Sequence, residues 1–254
     1  MKASAIEYRF RLILSTVIVL LGFWAPWIEW LHLGTRSTTW LWLGFQLGGF
    51  GVPATTAIEI VTIATILIAA KAAFLRVWGS AYLGPATVWS STMQAADAPQ
   101  TSRLIADGPY RYVRNPLYWG SLLMNLAIAT LMPPTGALVS FLLMTAFVFR
   151  LILAEEDFLA KQFGDQYAAY RQAVPRLFPN LLPGRRQQIH SVGQKPAWVR
   201  ALAAELLPVG VLISFAALSW QYNSDLLIRA LLVSFGVSLV ARALIAPGGE
   251  VASS

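Results

Sequence analysis

Asp107 to Gly120 reads DGPYRYVRNPLYWG, a fourteen-residue string holding two arginines, three tyrosines, two prolines and a tryptophan between apolar stretches. Pro109 and Pro116 fix their own φ and push Gly108 and Asn115 away from helical geometry, so 107–116 is expected to be a structured loop that turns into a helix near Pro116. A helix start presents unpaired backbone N–H groups. With Arg111 and Arg114 beside it, such a start suits a small carboxylate or phosphate, which the planar guanidinium fork matches. An interfacial aromatic belt with snorkelling arginines explains one tyrosine or one arginine here, but not two prolines and two glycines in the same string.

A second polar cluster lies in FRLILAEEDFLAKQFGDQYAAYRQAVPRLFP, residues 149–179. Glu155 and Glu156 follow Arg150 by about a turn and a half of helix, at the edge of an apolar run. Adjacent carboxylates there need partners. They either pair with Arg150, Lys161 or the motif arginines, or accept hydrogen bonds from an ammonium or hydroxyl of a ligand whose anionic end lies at the motif. Downstream, Phe158, Leu159, Phe163, Tyr167 and Tyr170 recur at helical intervals around Gly164. They mark an amphipathic helix that packs on the membrane face or over a pocket and ends at the prolines of VPRLFP.

The absence of cysteine excludes disulfides, thiolate metal sites and cysteine nucleophiles, and His32 and His190 stand too far apart in the sequence to suggest a zinc site or a triad.

The elements that must position these clusters are hydrophobic helices. The 254-residue chain is 57% hydrophobic and 12% charged, with a mean hydropathy of +0.59. That places it as an all-α, polytopic transmembrane helical bundle with a pocket on its cytoplasmic side. Six spans are expected, near 12–31, 54–75, 117–132, 135–153, 204–221 and 226–245, the first retained rather than cleaved. MPPTG forces a tight reversal that makes the third and fourth an antiparallel hairpin, bringing both polar clusters to one pocket. The glycine-broken RSTTWLWLGFQLGGFG is expected in the outer interface, with Trp40 and Trp42 at headgroup depth. With a cytoplasmic N-terminus, 17 of the 19 lysines and arginines fall inside and only Arg36 and Arg229 outside. This asymmetry explains the net charge of +7 without nucleic acid. The layout suits a bacterial plasma membrane with both termini inside.

Together, GPYRYVRNPLYWG at 108–120 and EEDFLAKQFGDQYAAYRQAVPRLFP at 155–179, with the hairpin between them, resemble the integral membrane methyltransferases that include isoprenylcysteine carboxyl methyltransferase and phospholipid N-methyltransferases. RVWGSAYLGP at 76–85 looks like the element that precedes the motif in that family. The resemblance implies S-adenosylmethionine bound on the cytoplasmic side and a lipid, isoprenoid or lipidated acceptor entering laterally among membrane lipids. Its cofactor loop would comprise Gly108, Tyr110, Arg111, Tyr112, Arg114, Asn115, Pro116 and Tyr118, with Glu155 and Glu156 as the acidic pair. Arg150 and Asn115 would be the catalytic candidates, Arg150 on the acceptor side.

Two departures stand out. Asn115 replaces a histidine frequent in the family and cannot act as a base near neutral pH, and two extra spans follow residue 197. The organisation read from this is 1–75 as N-terminal helices with an interfacial segment, 76–184 as the methyltransferase core and 185–254 as a C-terminal hairpin. NADPH-dependent sterol reductases carry a similar string, but theirs usually continues from the glycine into an acidic residue, where this chain has Ser121. A transporter or assembly protein is a third possibility, disfavoured because the spans carry almost no charge at mid-membrane. These residues fix neither the acceptor nor the oligomeric state.

Overall fold

The computed structural model describes residues 2–32, 37–83, 104–178 and 195–245. Gly84, Pro85, the expected boundary at 184–185, His190, and the basic residues Arg36, Arg103, Arg185 and Arg186 lie outside the described residues. Among the described residues there are helices and no strands, the all-α class expected: α1 (Ala5–Arg9), α2 (Arg11–Trp24), α3 (Trp27–Trp30), α4 (Thr39–Gly49), α5 (Ala54–Leu83), α6 (Pro116–Ala129), α7 (Pro134–Ala173), α8 (Trp198–Ala204), α9 (Leu206–Leu218) and α10 (Ser224–Ile245). A 3-10 turn, Gly108–Arg111, precedes α6, and another, Ser219–Gln221, follows α9.

Among the described residues, α5, α7 and α10 are each long and apolar enough to cross a membrane, and α8 with α9, bent by 77°, makes up to a fourth span. The chain is an integral membrane protein. Six crossings are not reached on length, because α2 and α6 hold 14 residues each and rise only about 21 Å against a hydrocarbon core of about 30 Å. The expected span at 12–31 stops at Trp24, where Ala25 takes a left-handed conformation and Pro26 leads into the short α3.

The segment expected at the outer interface forms α4, a helix of 11 residues capped by the Thr38 hydroxyl. One of its three glycines is a packing device, since a Cβ on Gly44 would stand 3.0 Å from the Ile58 side chain of α5. Trp42 is exposed, but Trp40 is buried and donates from its ring nitrogen to the Thr62 hydroxyl. Trp40 is therefore held in the protein interior rather than by headgroups. The N-terminus of α4 also seals the hairpin between α6 and α7, as Thr39 and Trp40 N–H donate to the carbonyls of Met132 and Thr130.

The principal packing contacts form a row: α2 on α7, α7 on α6, α6 on α5, α5 on α9 and α9 on α10. The main apolar core lies along α4, α5, α6, α9 and α10, around Val61, Ala69, Leu123, Phe215 and Leu227. Glycine sets the closest steps, and one of them joins α5 and α6. A Cβ on Gly120 would come 2.6 Å from Arg76 Cγ and 3.0 Å from the Ala72 carbonyl, so α6 lies on α5 at a distance no larger residue allows.

One ion pair fastens the C-terminal helices to this row. Glu205, at the bend between α8 and α9 and 1% exposed, accepts from Arg76 Nε at 2.7 Å and Nη2 at 3.1 Å, and from the Ser80 hydroxyl. Arg76 Nη1 reaches across to the Ser121 hydroxyl of α6 at 2.6 Å. Removing one member strands the other charge in an apolar setting, whereas replacing both with apolar residues does not. Glu205→Ala is therefore expected to lower the thermal midpoint of the purified protein by the equivalent of about 3–5 kcal/mol, and Arg76→Met with Glu205→Leu to restore most of it. A double variant no more stable than Glu205→Ala alone would refute this role.

Candidate functional site

The 107–116 loop is ordered by its own residues. Gly108 takes φ +59, and a Cβ there would collide with the Tyr82 ring of α5. Pro109 opens the 3-10 turn and Pro116 opens α6. The loop docks on the stretch after α7: Arg114 N–H donates to the Pro175 carbonyl at 2.9 Å, and Tyr170 Oη donates to the Tyr110 carbonyl at 2.8 Å.

The acidic pair divides its work. Neighbouring residues on a helix point about 100° apart, so Glu155 and Glu156 face different surroundings. Glu156, largely buried, accepts from Arg176 Nε at 3.1 Å and Nη2 at 2.8 Å, and from Asn115 Nδ2 at 3.4 Å, and it lies 3.3 Å from Arg114 Nη2. It holds loop, helix and the 174–178 stretch together. The Arg176 guanidinium is pushed above its ordinary value chiefly by its hydrogen bonds to Glu156, so it stays charged. Glu155 instead lines a cavity, where the Tyr118 hydroxyl and the charge of Arg11 of α2 act on it.

That cavity has a volume of about 450 Å³, within the range of small-molecule sites. The motif supplies Tyr110, Arg114, Asn115, Pro116 and Tyr118 to its wall. Phe158, Leu159, Phe163, Tyr167 and Tyr170 of α7 all line it too, so this stretch lies over the pocket. Gly164, at φ +49, breaks the helix among them and lets it bend. Four buried polar atoms of the lining lack a hydrogen-bond partner among the described residues: Tyr110 Oη, Arg114 Nε, Asn125 Oδ1 and Arg242 Nε. Burial pushes the Tyr110 phenol well above its ordinary value, so it remains a neutral donor.

The other sequence candidates lie elsewhere. Gly108, Arg111, Tyr112 and Glu156 do not line the cavity: Arg111 is exposed and Tyr112 packs on Trp78, ring centroids 5.9 Å apart. Arg150 does not line it either. Its guanidinium grips both oxygens of Glu7, at 3.1 and 2.8 Å, and its carbonyl accepts from Ala3 N–H. Lys2 adds a bond to Asp157 at 2.5 Å, so the N-terminal segment is clasped along α7. Sequence reasoning missed the contributions of Tyr8 and Arg11, of Ser121 and Asn125, and of Glu205, Ser238 and Arg242 to the lining. Glu205 was the most visible of these, as a lone acid inside ALAAELLP at the start of an expected span.

Residues 57–166 match the model of the phospholipid methyltransferase family. Over 84 residues the chain is 38% identical to the protein-S-isoprenylcysteine O-methyltransferase of Schizosaccharomyces pombe, a stretch covering 32% of this chain and 34% of that protein. The chain thus matches about a third of the length of this curated relative. No solved structure matches it. The family resemblance carried by the two motifs is borne out. The matched segment contains 108–120 and both glutamates but ends before Arg176, Glu205 and Arg242.

Two outcomes are expected from these contacts. Glu156→Ala leaves the largely buried Arg114 without its carboxylate and should cost about 3–5 kcal/mol of stability, read as a lower thermal midpoint; an unchanged midpoint would refute the anchoring role. The hydrogen bonds from Arg150 and from Ser4 N–H draw the Glu7 carboxyl down from 4.5 to about 2. A depressed carboxylate stabilises fully above its ordinary value and loses that effect as pH falls towards the folded one. The midpoint advantage of the native chain over Glu7→Gln should therefore be flat from pH 7 to about 5 and vanish between 4.5 and 2; an advantage that persists at the acid end would contradict it.

Proposed function

We propose that this protein is an S-adenosylmethionine-dependent membrane methyltransferase acting on a lipid, isoprenoid or lipidated acceptor. The observation that carries the reading is the meeting of Tyr110, Arg114, Tyr118 and Glu155 around one cavity that runs from the motif loop into the apolar helices. The excess of lysine and arginine supports a cytoplasmic position for that loop.

The lining fits the cofactor. A methionyl carboxylate needs donors, and Arg114 Nε and Tyr110 Oη are buried donors without partners. An ammonium or ribose hydroxyl needs an acceptor. Glu155, oriented by Tyr118, and Asn125 Oδ1 supply two. Adenine needs apolar and aromatic faces, which Phe158, Phe163 and Tyr167 provide.

When bound, the cofactor supplies a sulfonium methyl group, which an acceptor takes by in-line displacement. The protein contributes alignment and a site closed to water, which for such a displacement can account for much of the rate. Tyr167 and Tyr170 screen the cavity from the motif side, and Met124, Ile128, Met144 and Val148 give it an apolar floor. Asn115 spends its amide donors on Glu156 and the Arg176 carbonyl. It fixes the loop and does not take up a proton, so acceptors already deprotonated at neutral pH, such as a carboxylate, suit this site.

Calorimetric titration of the detergent-purified protein with S-adenosylmethionine, S-adenosylhomocysteine and NADPH tests the reading. Saturable binding of both adenosyl compounds is expected, without binding of NADPH. Glu155→Gln should weaken it by about tenfold, the loss of one charge-assisted hydrogen bond. Binding of NADPH alone would move the protein to the reductases.

A further inference from the structure

The cavity wall carries four arginines, Arg11, Arg76, Arg114 and Arg242, from four different segments of the chain. Three are matched by carboxylates. Arg76 is locked to Glu205, Arg114 lies on Glu156, and Arg11 is the cation beside Glu155. Arg242, in the last turn of α10, feels Glu205 only at a distance and has Arg76 and Arg11 as its other charged neighbours. It makes no ion pair among the described residues, and its Nε is buried without a hydrogen-bond partner.

An arginine at the cytoplasmic end of a membrane helix ordinarily serves the helix dipole and extends its head into water. Arg242 does not fit that description. It lines the cavity with a buried Nε, one turn after Ser238, which is 5% exposed and lines the cavity too. The residue as a whole is half-buried, and a guanidinium with a buried, unmatched nitrogen is costly unless an anion arrives to meet it. A sulfonium donor in the same cavity would add positive charge and sharpen the imbalance. The position is also telling. Ser238 and Arg242 lie outside the family-matched segment and face α2 across the cavity, and α2 and α10 share no extended packing interface. An amphiphile entering between these two helices would meet this part of the wall.

We propose that Arg242, with Ser238 beside it, receives the anionic headgroup of the lipophilic acceptor, a carboxylate or a phosphate, and so selects anionic amphiphiles over neutral or cationic ones. Arginine suits the task because its fork bonds both oxygens of such a group. The inference deepens the methyltransferase reading, on which it rests for the word acceptor, and makes Arg242 a specificity determinant that the extra helices bring to the site.

The test uses the full chain in neutral detergent and four single-chain probes of equal length: dodecanoate, dodecyl phosphate, dodecanol and dodecylammonium. By calorimetry, at least one of the two anions should bind about tenfold or more tighter than the alcohol, and the ammonium no better than the alcohol, as expected for one charge-assisted contact in a shielded site. Arg242→Gln should abolish the preference and Arg242→Lys keep part of it. Affinity for S-adenosylhomocysteine should stay within about threefold in both, which is less than one charge-assisted hydrogen bond is worth. The idea fails if dodecanol binds as well as both anions, or if inorganic phosphate alone binds as tightly as dodecyl phosphate, which would indicate a free-anion site. It fails equally if Arg242→Gln loses S-adenosylhomocysteine in step with the anions, because Arg242 would then belong to the cofactor. The probe comparison on the unaltered chain stands even if a variant does not fold. An anion preference that depends on Arg242 in a protein that binds no adenosyl compound would uphold the anion site and sink the methyltransferase reading instead.

Discussion

A carboxylate taken out of water must be surrounded by donors or it destabilises whatever holds it, and this constraint organises the molecule. Glu156 gathers Arg114, Asn115 and Arg176, which come from the motif loop and from the stretch after α7. Glu205 gathers Arg76 and Ser80, and through Arg76 the hydroxyl of Ser121, so that α5, α6 and the bend between α8 and α9 share one polar junction. Apolar packing in a membrane is weakly selective about register, because lipid is as good a neighbour as leucine. The two junctions supply the register that packing leaves open.

This division shows which parts of the site were readable in the sequence. The loop at 107–116 could be read because proline and glycine act on their own backbone, and the 3-10 turn and helix start fall where Pro109 and Pro116 put them. The reversal at MPPTG was legible for the same reason. Glu155 and Glu156 stood out as a pair, but their separation into one residue facing the cavity and one facing the loop depends on the rotational phase of α7. Partners distant along the chain could not be read at all. Arg150 finds Glu7 and Arg76 finds Glu205, 143 and 129 residues apart, and nothing local announces either match. The glycines of α4 were read as breakers because propensity penalises them, whereas Gly44 is where that helix meets Ile58.

The arrangement also explains how a site can be deep in an apolar bundle and yet reachable. Both ends of the row, α2 and α10, contribute to the cavity wall, with Arg11 and Arg242 within electrostatic reach of one another. The motif side is roofed by Tyr167, Tyr170 and Leu104, which pack together with Val174. The lining thus combines charged groups with an apolar surface, a mixture that suits a molecule with one charged and one greasy end.

The lining begins at Tyr8 and finishes at Arg242, so it draws on nearly the whole length of the chain. The wall is therefore complete only with α10 in place, and a small molecule that fills the pocket, touching the first helices and the last, would favour the finished fold over any arrangement that lacks α10.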